Sequence, residues 1–547
     1  MTLIDDENTI SFDEIAKELN ISKATIRNWI KLGLITQCGK NLVERLQFNR
    51  FRSEKIGTQK LTARANKTQM ACQDLQKLEI PNLEVLFSLS ADELETLAQN
   101  YEADIANCQR NIKGVYYTPQ FIAKDILQRI NEPQNMVFLD PCCGTGNFLL
   151  AAIDAGFSPA NVYGYDNDEV AIIIAKARVY KKTGLKIDNI QCTDYLNNSV
   201  SSPIQPDCVF TNPPWGVKYN SKEKTALTKK YDLPKSSDSC AIFAAAILEK
   251  LKPNGTVGLL LPEAFFNISS YRKIRQRLLN SKIMSIKNHG RAFDGLLTKA
   301  QEIVFEKRLS NNSQKVLCDF DGENYWREQS DFANNPNQIF NFYCDDIDAK
   351  IIAHLFRHPH QTLKNKAKWA LGIVTGGNNT HLLKAPIDGA VPIFKGNDIT
   401  GEGFKDPTNW IAPDFDKFQQ SAPRDLYEAP EKIAYRFISS QLCFAYDNEK
   451  RLFLNSANML IPSNELGISA ANLTKLLNTS LLRWLFAKIF NTPKILRGDL
   501  ETLPLFVEQF KAANFVENEG FYDSLGILEH LNRINPHPSA PAQRPSR

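Results

Sequence analysis

Seven short apolar runs recur between residues 135 and 307: "NMVFLD", "NVYGYD", "NIQCTD", "DCVFTN", "GTVGLLLP", "SIKNHG" and "QEIVFEK". Stretches with helical apolar spacing separate them. Short buried strands alternating with helices cannot close as hairpins, so the chain must cross over between parallel neighbours. The expected fold class is therefore α/β, with a doubly wound, mainly parallel sheet. In such sheets, sites form outside the carboxyl ends of the strands. The residues that end these runs thus become the first candidates for chemistry.

The first run ends in "VFLDPCCGTGNFLLAAI". Gly144 and Gly146 let the backbone turn tightly and approach a ligand, and the helix that opens near Asn147 turns its free N–H groups toward the loop. Asp140 stands where a phosphate loop would not want negative charge. The next run ends at Asp166, about 20 residues past the glycines, the usual place for an acid that grips ribose hydroxyls. An acidic loop plus a ribose-binding acid suits a nucleoside that carries positive charge. S-adenosylmethionine is such a ligand, with a sulfonium, an ammonium and no phosphate. "DPCCGTGNFL" resembles the cofactor loop of Class I methyltransferases. That resemblance implies that Asp140, with Pro141 beside it, meets the methionine ammonium. It implies that Asp166 holds the ribose and that Asp194 accepts from the adenine amine. Tyr117, Thr118 and Pro119 in "GVYYTP" would close over the methionine end.

The fourth run ends in "TNPPWG". Two prolines stop the strand and stiffen the corner. An aromatic amine is a poor nucleophile, because its lone pair is delocalised into the ring. Acceptors for both of its protons restore that nucleophilicity. Asn212 offers a side-chain carbonyl and Pro213 a backbone carbonyl, while Pro214 stiffens the turn. Trp215 offers a flat face for a base. The tetrapeptide resembles the (D/N/S)-P-P-(Y/F/W) signature of amino-methyltransferases. Asn in first place points to adenine N6 over cytosine N4. A base inside a duplex would have to be flipped out to reach this corner. Phe293 lies where the family places a second aromatic wall, and Ser239 and Phe243 where it lines the adenine pocket.

The motif order, with about 200 residues following, resembles the gamma class of adenine-N6 DNA methyltransferases. Residues 365–510 resemble target-recognition domains of that class and of restriction specificity subunits, through "WALGIVTGGNNTHLL", "VPIFKGNDI", "EKIAYRFISSQLCFAYD" and "ILRGDLETLPL". Asn378, Asn379, His381, Lys395 and Arg436 are candidate base or phosphate contacts there. At the other end, "SFDEIAKELNISKATIRNWIKLGLI" reads as a helix-turn-helix similar to MerR-type and excisionase-type helices. Its second helix would present Lys23, Thr25, Arg27 and Asn28 to DNA.

The expected domains are a helix-turn-helix over 1–52, a helical spacer over 53–110, a methyltransferase domain over 111–345, a mixed α+β target-recognition domain over 346–510 and a C-terminal tail over 511–547. The net charge of +4 neither demonstrates nor excludes a nucleic-acid partner. Eleven cysteines without metal-ligand spacing, and a histidine cluster "HLFRHPHQ" with no matching acids, give no metal site. No apolar run reaches the ~20 residues of a membrane span. The scattered, odd set of cysteines suits a cytoplasm, and the resemblance implies a bacterial enzyme associated with the nucleoid through DNA. It would methylate adenine N6 of double-stranded DNA with S-adenosylmethionine and protect sites from a cognate restriction endonuclease. Two alternatives stand beside this reading. One is an RNA or protein-glutamine methyltransferase; the other is a DNA-binding regulator on a methyltransferase fold.

Overall fold

The computed structural model describes residues 9–19, 21, 23–31, 35–39, 41–55, 82–113, 118–128, 130–197, 204–217, 219–293, 298–310 and 313–536. The chain forms two compact units, residues 1–262 with 290–307, and residues 263–289 with 308–547.

The first unit begins with strand β1 (Thr9–Ser11), helix Phe12–Glu18, helix Lys23–Lys31, strands β2 (Gln37–Gly39) and β3 (Leu42–Glu44), and helix Arg45–Lys55. Ser11 and Glu14 cap the first helix reciprocally, each side chain meeting the other's backbone N–H. Ile15, Ile26, Trp29 and Phe48 close a small core between the helices and the antiparallel β1-β3-β2 sheet. Arg27 is exposed, Lys23 pairs with Asp13 at 2.6 Å, and Thr25 is half-buried. The side chain of Asn28 lies outside the described residues.

The main sheet of this unit contains β4 (Phe138–Asp140), β5 (Val162–Asp166), β6 (Ile190–Cys192), β7 (Cys208–Thr211) and β8 (Thr256–Pro262). These five run parallel in the spatial order β8-β7-β4-β5-β6, and Ala300–Leu309 joins β8 antiparallel. The order reverses between β4 and β7, which puts the carboxyl ends of those two strands at the switch point where ligands bind. Asp140 ends β4 and Asn212 follows β7 directly. The helices expected between strands are present, including Asn147–Asp154, Glu169–Thr183 and Ser239–Lys250, which is buried from Ser239 to Leu248. Gly258 sits under Phe210, where an added Cβ would come within 2.4 Å of the ring.

The span read as a spacer departs from that expectation. Helix Ala91–Lys113 packs on helix Glu169–Thr183 through Ala98 and Tyr101, so the boundary expected at residue 111 falls inside a helix of the sheet's own layer.

In the second unit, Ser281–Asn288, Lys315–Phe320 and Glu323–Glu328 form three neighbouring strands. The last two make a hairpin whose two turn residues, Asp321 (φ 54°) and Gly322 (φ 89°), take the left-handed conformation that such turns require. Further on, Ala367–Leu371, Ala457–Pro462, Lys432–Arg436 and Phe444–Asp447 form an antiparallel sheet in that order. A second small sheet contains Val391–Phe394 and Leu452–Phe453. Helices Ala470–Leu477 and Ser480–Phe490 seal the core, with Leu473, Leu485 and Ile489 fully buried.

The tail expected from residue 511 is folded as far as residue 536. Helices Val507–Ala512 and Glu519–Ser524 bury Phe510, Phe521, Tyr522 and Leu525 in the same core. The Pro-rich composition that marks a tail belongs only to the last eleven residues, which lie outside the described set. Among the described residues no helix is long and apolar enough to cross a membrane.

Candidate functional site

A cavity of about 290 Å³ opens at the switch point. Thr118, Asp140, Pro141, Gly144, Asp166, Asp194 and Asn212 all line it. Residues from four separate strand ends, Asp140 to Asn212 and so up to 72 positions apart, therefore share one space. The glycine loop explains the approach. Gly144 (φ 50°) and Gly146 (φ 95°) both take left-handed backbone angles, and Gly146 lies against Ala175, whose Cβ would be 3.2 Å from an added one.

The electrostatics follow from burial. Asp140 is 1% exposed and accepts from the Cys142 N–H at 3.0 Å. Desolvation pushes its carboxyl up to about 7. Asp166 is pushed up to about 6 for the same reason, although it accepts the Gly144 N–H at 2.9 Å and the Asp168 N–H at 3.0 Å. One buried and one half-buried acid, both with raised pKa, make a pocket whose charge a cationic ligand would restore. That is the behaviour expected of a site for the ammonium and sulfonium of S-adenosylmethionine, so the residues present fit that group. Asp194 is more exposed and caps the turn after β6, accepting the N–H groups of Leu196 (2.9 Å) and Asn197 (3.2 Å) and the Asn197 amide at 2.7 Å. Both the capping role and an outward contact are open to a carboxylate with four lone-pair sites.

At the proline corner, Asn212 and Pro214 line the cavity and Pro213 is buried beneath. Ser239 Oγ donates to the Pro214 carbonyl at 2.5 Å and accepts the Val217 N–H at 3.2 Å, which ties both sides of the turn to one side chain. Trp215 is buried. Its Nε1 donates to the Leu260 carbonyl at 3.4 Å, and Phe293 meets it edge-on at 5.2 Å and 82°. These two rings form an aromatic pair beside the cavity and are not part of its wall. Phe243 does line it, stacked on Tyr195 at 6.2 Å. Pro119 opens helix Gln120–Leu127. Tyr117 lies outside the described residues.

Sequence reasoning missed several lining residues. Thr145 and Asn147 follow the glycines, Thr193 and Leu196 flank Asp194, and Tyr219 and Glu223 follow the corner. The last two carried one signal, their nearness to "NPPWG". It also missed Arg178 and Glu102, which stand behind the loop and carry no motif.

In the second unit the predicted contacts separate. Asn378 is exposed and accepts from the Thr375 hydroxyl at 2.8 Å; His381 stacks edge-on with Phe418; Lys395 is half-buried. Arg436 donates twice to the Ile399 carbonyl, at 3.0 and 2.7 Å, so part of its guanidinium braces the fold. The side chain of Asn379 lies outside the described residues. His354 bonds the Leu525 carbonyl at 2.8 Å. Among the described residues no cluster of His, Cys, Asp and Glu is arranged to hold a metal.

The parallel sheet, the glycine loop with its acids and the proline corner on one cavity define a methyltransferase of the Class I fold. Residues 92–349 match the family model for N-6 DNA methylase, and residues 391–505 match the TaqI-like C-terminal specificity domain. The chain is 39% identical over 400 residues to the Type II methyltransferase M.VspI of a Vibrio species, covering 73% of this chain and 98% of that protein. It is 24% identical over 321 residues to the EcoEI methylase subunit of a Type I restriction enzyme from Escherichia coli, spanning 64% of that relative. A crystal structure of a type I restriction-modification methyltransferase subunit from Streptococcus thermophilus is similar at 18% identity and a TM-score of 0.37, covering 60% of this chain and 78% of that one. The chain belongs to the N-6 adenine DNA methyltransferases of restriction–modification systems.

Proposed function

We propose that the chain methylates N6 of an adenine flipped from double-stranded DNA at a site read by its C-terminal specificity domain, and that this mark protects the site from a cognate nuclease. One observation carries the reading: the buried Asp140 and the corner residue Asn212 line the same cavity. A cation-seeking acid and an amine-orienting amide are thus close enough to serve one transfer.

When bound, S-adenosylmethionine supplies a methyl group activated by its sulfonium. Asp140 would hold the ammonium, Asp166 the ribose hydroxyls and Asp194 the adenine amine, with Thr118, Pro119 and Tyr117 at the methionine end. Asn212 Oδ1 and the Pro213 carbonyl would accept the two protons of the target amine and favour a pyramidal nitrogen. The Pro214 carbonyl is already taken by Ser239, which supports Pro213 as the second acceptor. Ser239 also holds the turn still, so the acceptors need little reorganisation during reaction. Trp215, backed by Phe293, would contact the extruded base. Asn378, Asn379, His381, Lys395 and Arg436 are the proposed DNA contacts of the specificity domain. Lys23, Thr25, Arg27 and Asn28 of the N-terminal helix pair would add grip on DNA.

Expression in a bacterial host lacking adenine methylation, followed by sequencing that detects modified bases, tests this reading. The expected result is N6-methyladenine at one motif throughout the genome. Methyl groups found only in RNA or protein would overturn it in favour of the alternative substrates. Specific DNA binding without methyl transfer would make the chain a regulator.

A further inference from the structure

Neither the helix Ala91–Lys113 nor Arg178 is among the residues that line the cavity, yet they hold its wall at two ends. Arg178 is 4% exposed. Its Nη1 donates to the Thr145 carbonyl at 2.7 Å and to Asn147 Oδ1 at 2.9 Å, while Nη2 donates to the Glu95 carboxylate at 2.6 Å. The Thr145 hydroxyl donates to Glu102, two helical turns beyond Glu95 on the same face. Asn147 passes the connection on, its Nδ2 donating to the Thr118 carbonyl at 2.9 Å. Thr118, Thr145 and Asn147 all line the cavity. At the other end, the Tyr101 hydroxyl donates to the Asp168 carboxylate at 2.8 Å, and the Asp168 N–H donates to Asp166 at 3.0 Å.

We propose that this frame sets donor affinity in two separable halves. Arg178 with Glu95 and Glu102 positions the loop for the amino-acid end of the donor, and Tyr101 through Asp168 positions Asp166 for the ribose end. These are positioning residues, acting through groups that line the cavity. The inference rests on the reading that the cavity holds S-adenosylmethionine. Burial supports the coupling: a desolvated guanidinium with three acceptors has one low-energy arrangement, and removing it takes the guanidinium donor from the Thr145 carbonyl and a cationic partner from the Glu95 carboxylate, which keeps the neutral amides of Gln99 and Gln120.

The test is calorimetric titration of the full chain with two probes, S-adenosylhomocysteine and 5′-methylthioadenosine, the second lacking the amino-acid end. Arg178→Met should weaken S-adenosylhomocysteine about ten- to hundredfold, the range of one lost charge-assisted hydrogen bond, and change methylthioadenosine less than about threefold. Arg178→Lys should recover part of the loss. Tyr101→Phe should weaken both probes by a similar factor of about three to ten. Should Arg178→Met fail to fold, Glu95→Gln, at a partly exposed site, should show the same ordering at about three- to tenfold. Equal losses on both probes, or none, in a folded Arg178 or Glu95 variant would overturn the inference. A wild-type chain that binds neither probe would refute the donor reading itself, and the inference with it.

Discussion

The cavity at the sheet's switch point and the specificity domain present opposite relations between sequence and site. Around the cavity, the described residues assigned to the donor converge, with Pro119 one position from the lining residue Thr118. In the specificity domain, the residues picked by type fall on a short helix (Asn378–His381), at the start of a turn (Lys395) and at a strand end (Arg436), and Arg436 spends two hydrogen bonds on the chain's own backbone. The difference has a physical source. Methyl transfer needs a few atoms at strand ends, and strand ends are fixed by short apolar runs that can be read locally. Reading DNA needs polar groups spread over a surface, and almost any exposed Asn, Lys or Arg satisfies that description.

The sharpest way to break the comparison is at the corner. Asn212→Ala should lower methyl transfer about a thousandfold or more, as loss of one transition-state acceptor does, with donor affinity changed less than about threefold. Labelled-methyl transfer to DNA and a donor titration measure the two quantities. An equal fall in both would mean that Asn212 shapes the cavity and does not act on the amine.

Second in size is a stability effect confined to the specificity domain. Lys432 and Asp447 pair at 2.6 Å with both side chains fully buried, and Arg451 reaches the same carboxylate at 2.9 Å. Lys432→Met leaves the buried Asp447 carboxylate with one cationic partner, Arg451, and should cost about 3 kcal/mol. Thermal unfolding should show a lowered transition while donor binding persists.

Third, donor affinity should depend on pH through Asp140. Its carboxyl is raised to about 7, so the ligand-free acid is largely protonated below that pH. A cationic donor needs the ionised form, so affinity should fall by up to about tenfold per pH unit below 7. It should fall again above about 8, where an α-amino group loses its proton. The sign for folding is opposite. An acid whose folded pKa is raised holds its proton better when folded, so its contribution to stability is lost as pH rises from about 4 to 7 in the free protein. Asp140→Asn should abolish the acid limb of the binding profile and weaken binding about ten- to hundredfold at pH 7.5.

The smallest expected effects lie on the reader. Arg436→Ala should destabilise the specificity domain by about 1–2 kcal/mol through the lost Ile399 tether. Asn378→Ala, at an exposed position, should leave stability unchanged and alter DNA affinity by no more than about tenfold. If the Asn378 variant lost sequence selectivity altogether, recognition would be far more concentrated than the comparison implies.

The chain alone determined the parallel sheet, the glycine loop and the proline corner. Each is a local pattern: an apolar run sets a strand, glycines permit one backbone path, and prolines end a strand at a defined place. Tertiary structure decided what no local pattern encodes. Helix Ala91–Lys113 reads as a polar spacer, because its buried face is a few residues wide and its Glu95 and Glu102 look like solvated charges. Only the fold brings them to Arg178, more than 70 positions away, and to the loop they hold. The folded segment up to residue 536 was hidden for the same reason: Phe521, Tyr522 and Leu525 become core only within a cluster whose other members, Ile351, Leu473 and Leu485 among them, come from distant parts of the chain. Long-range burial turns ordinary residues into structural ones, and one-dimensional order carries no record of it.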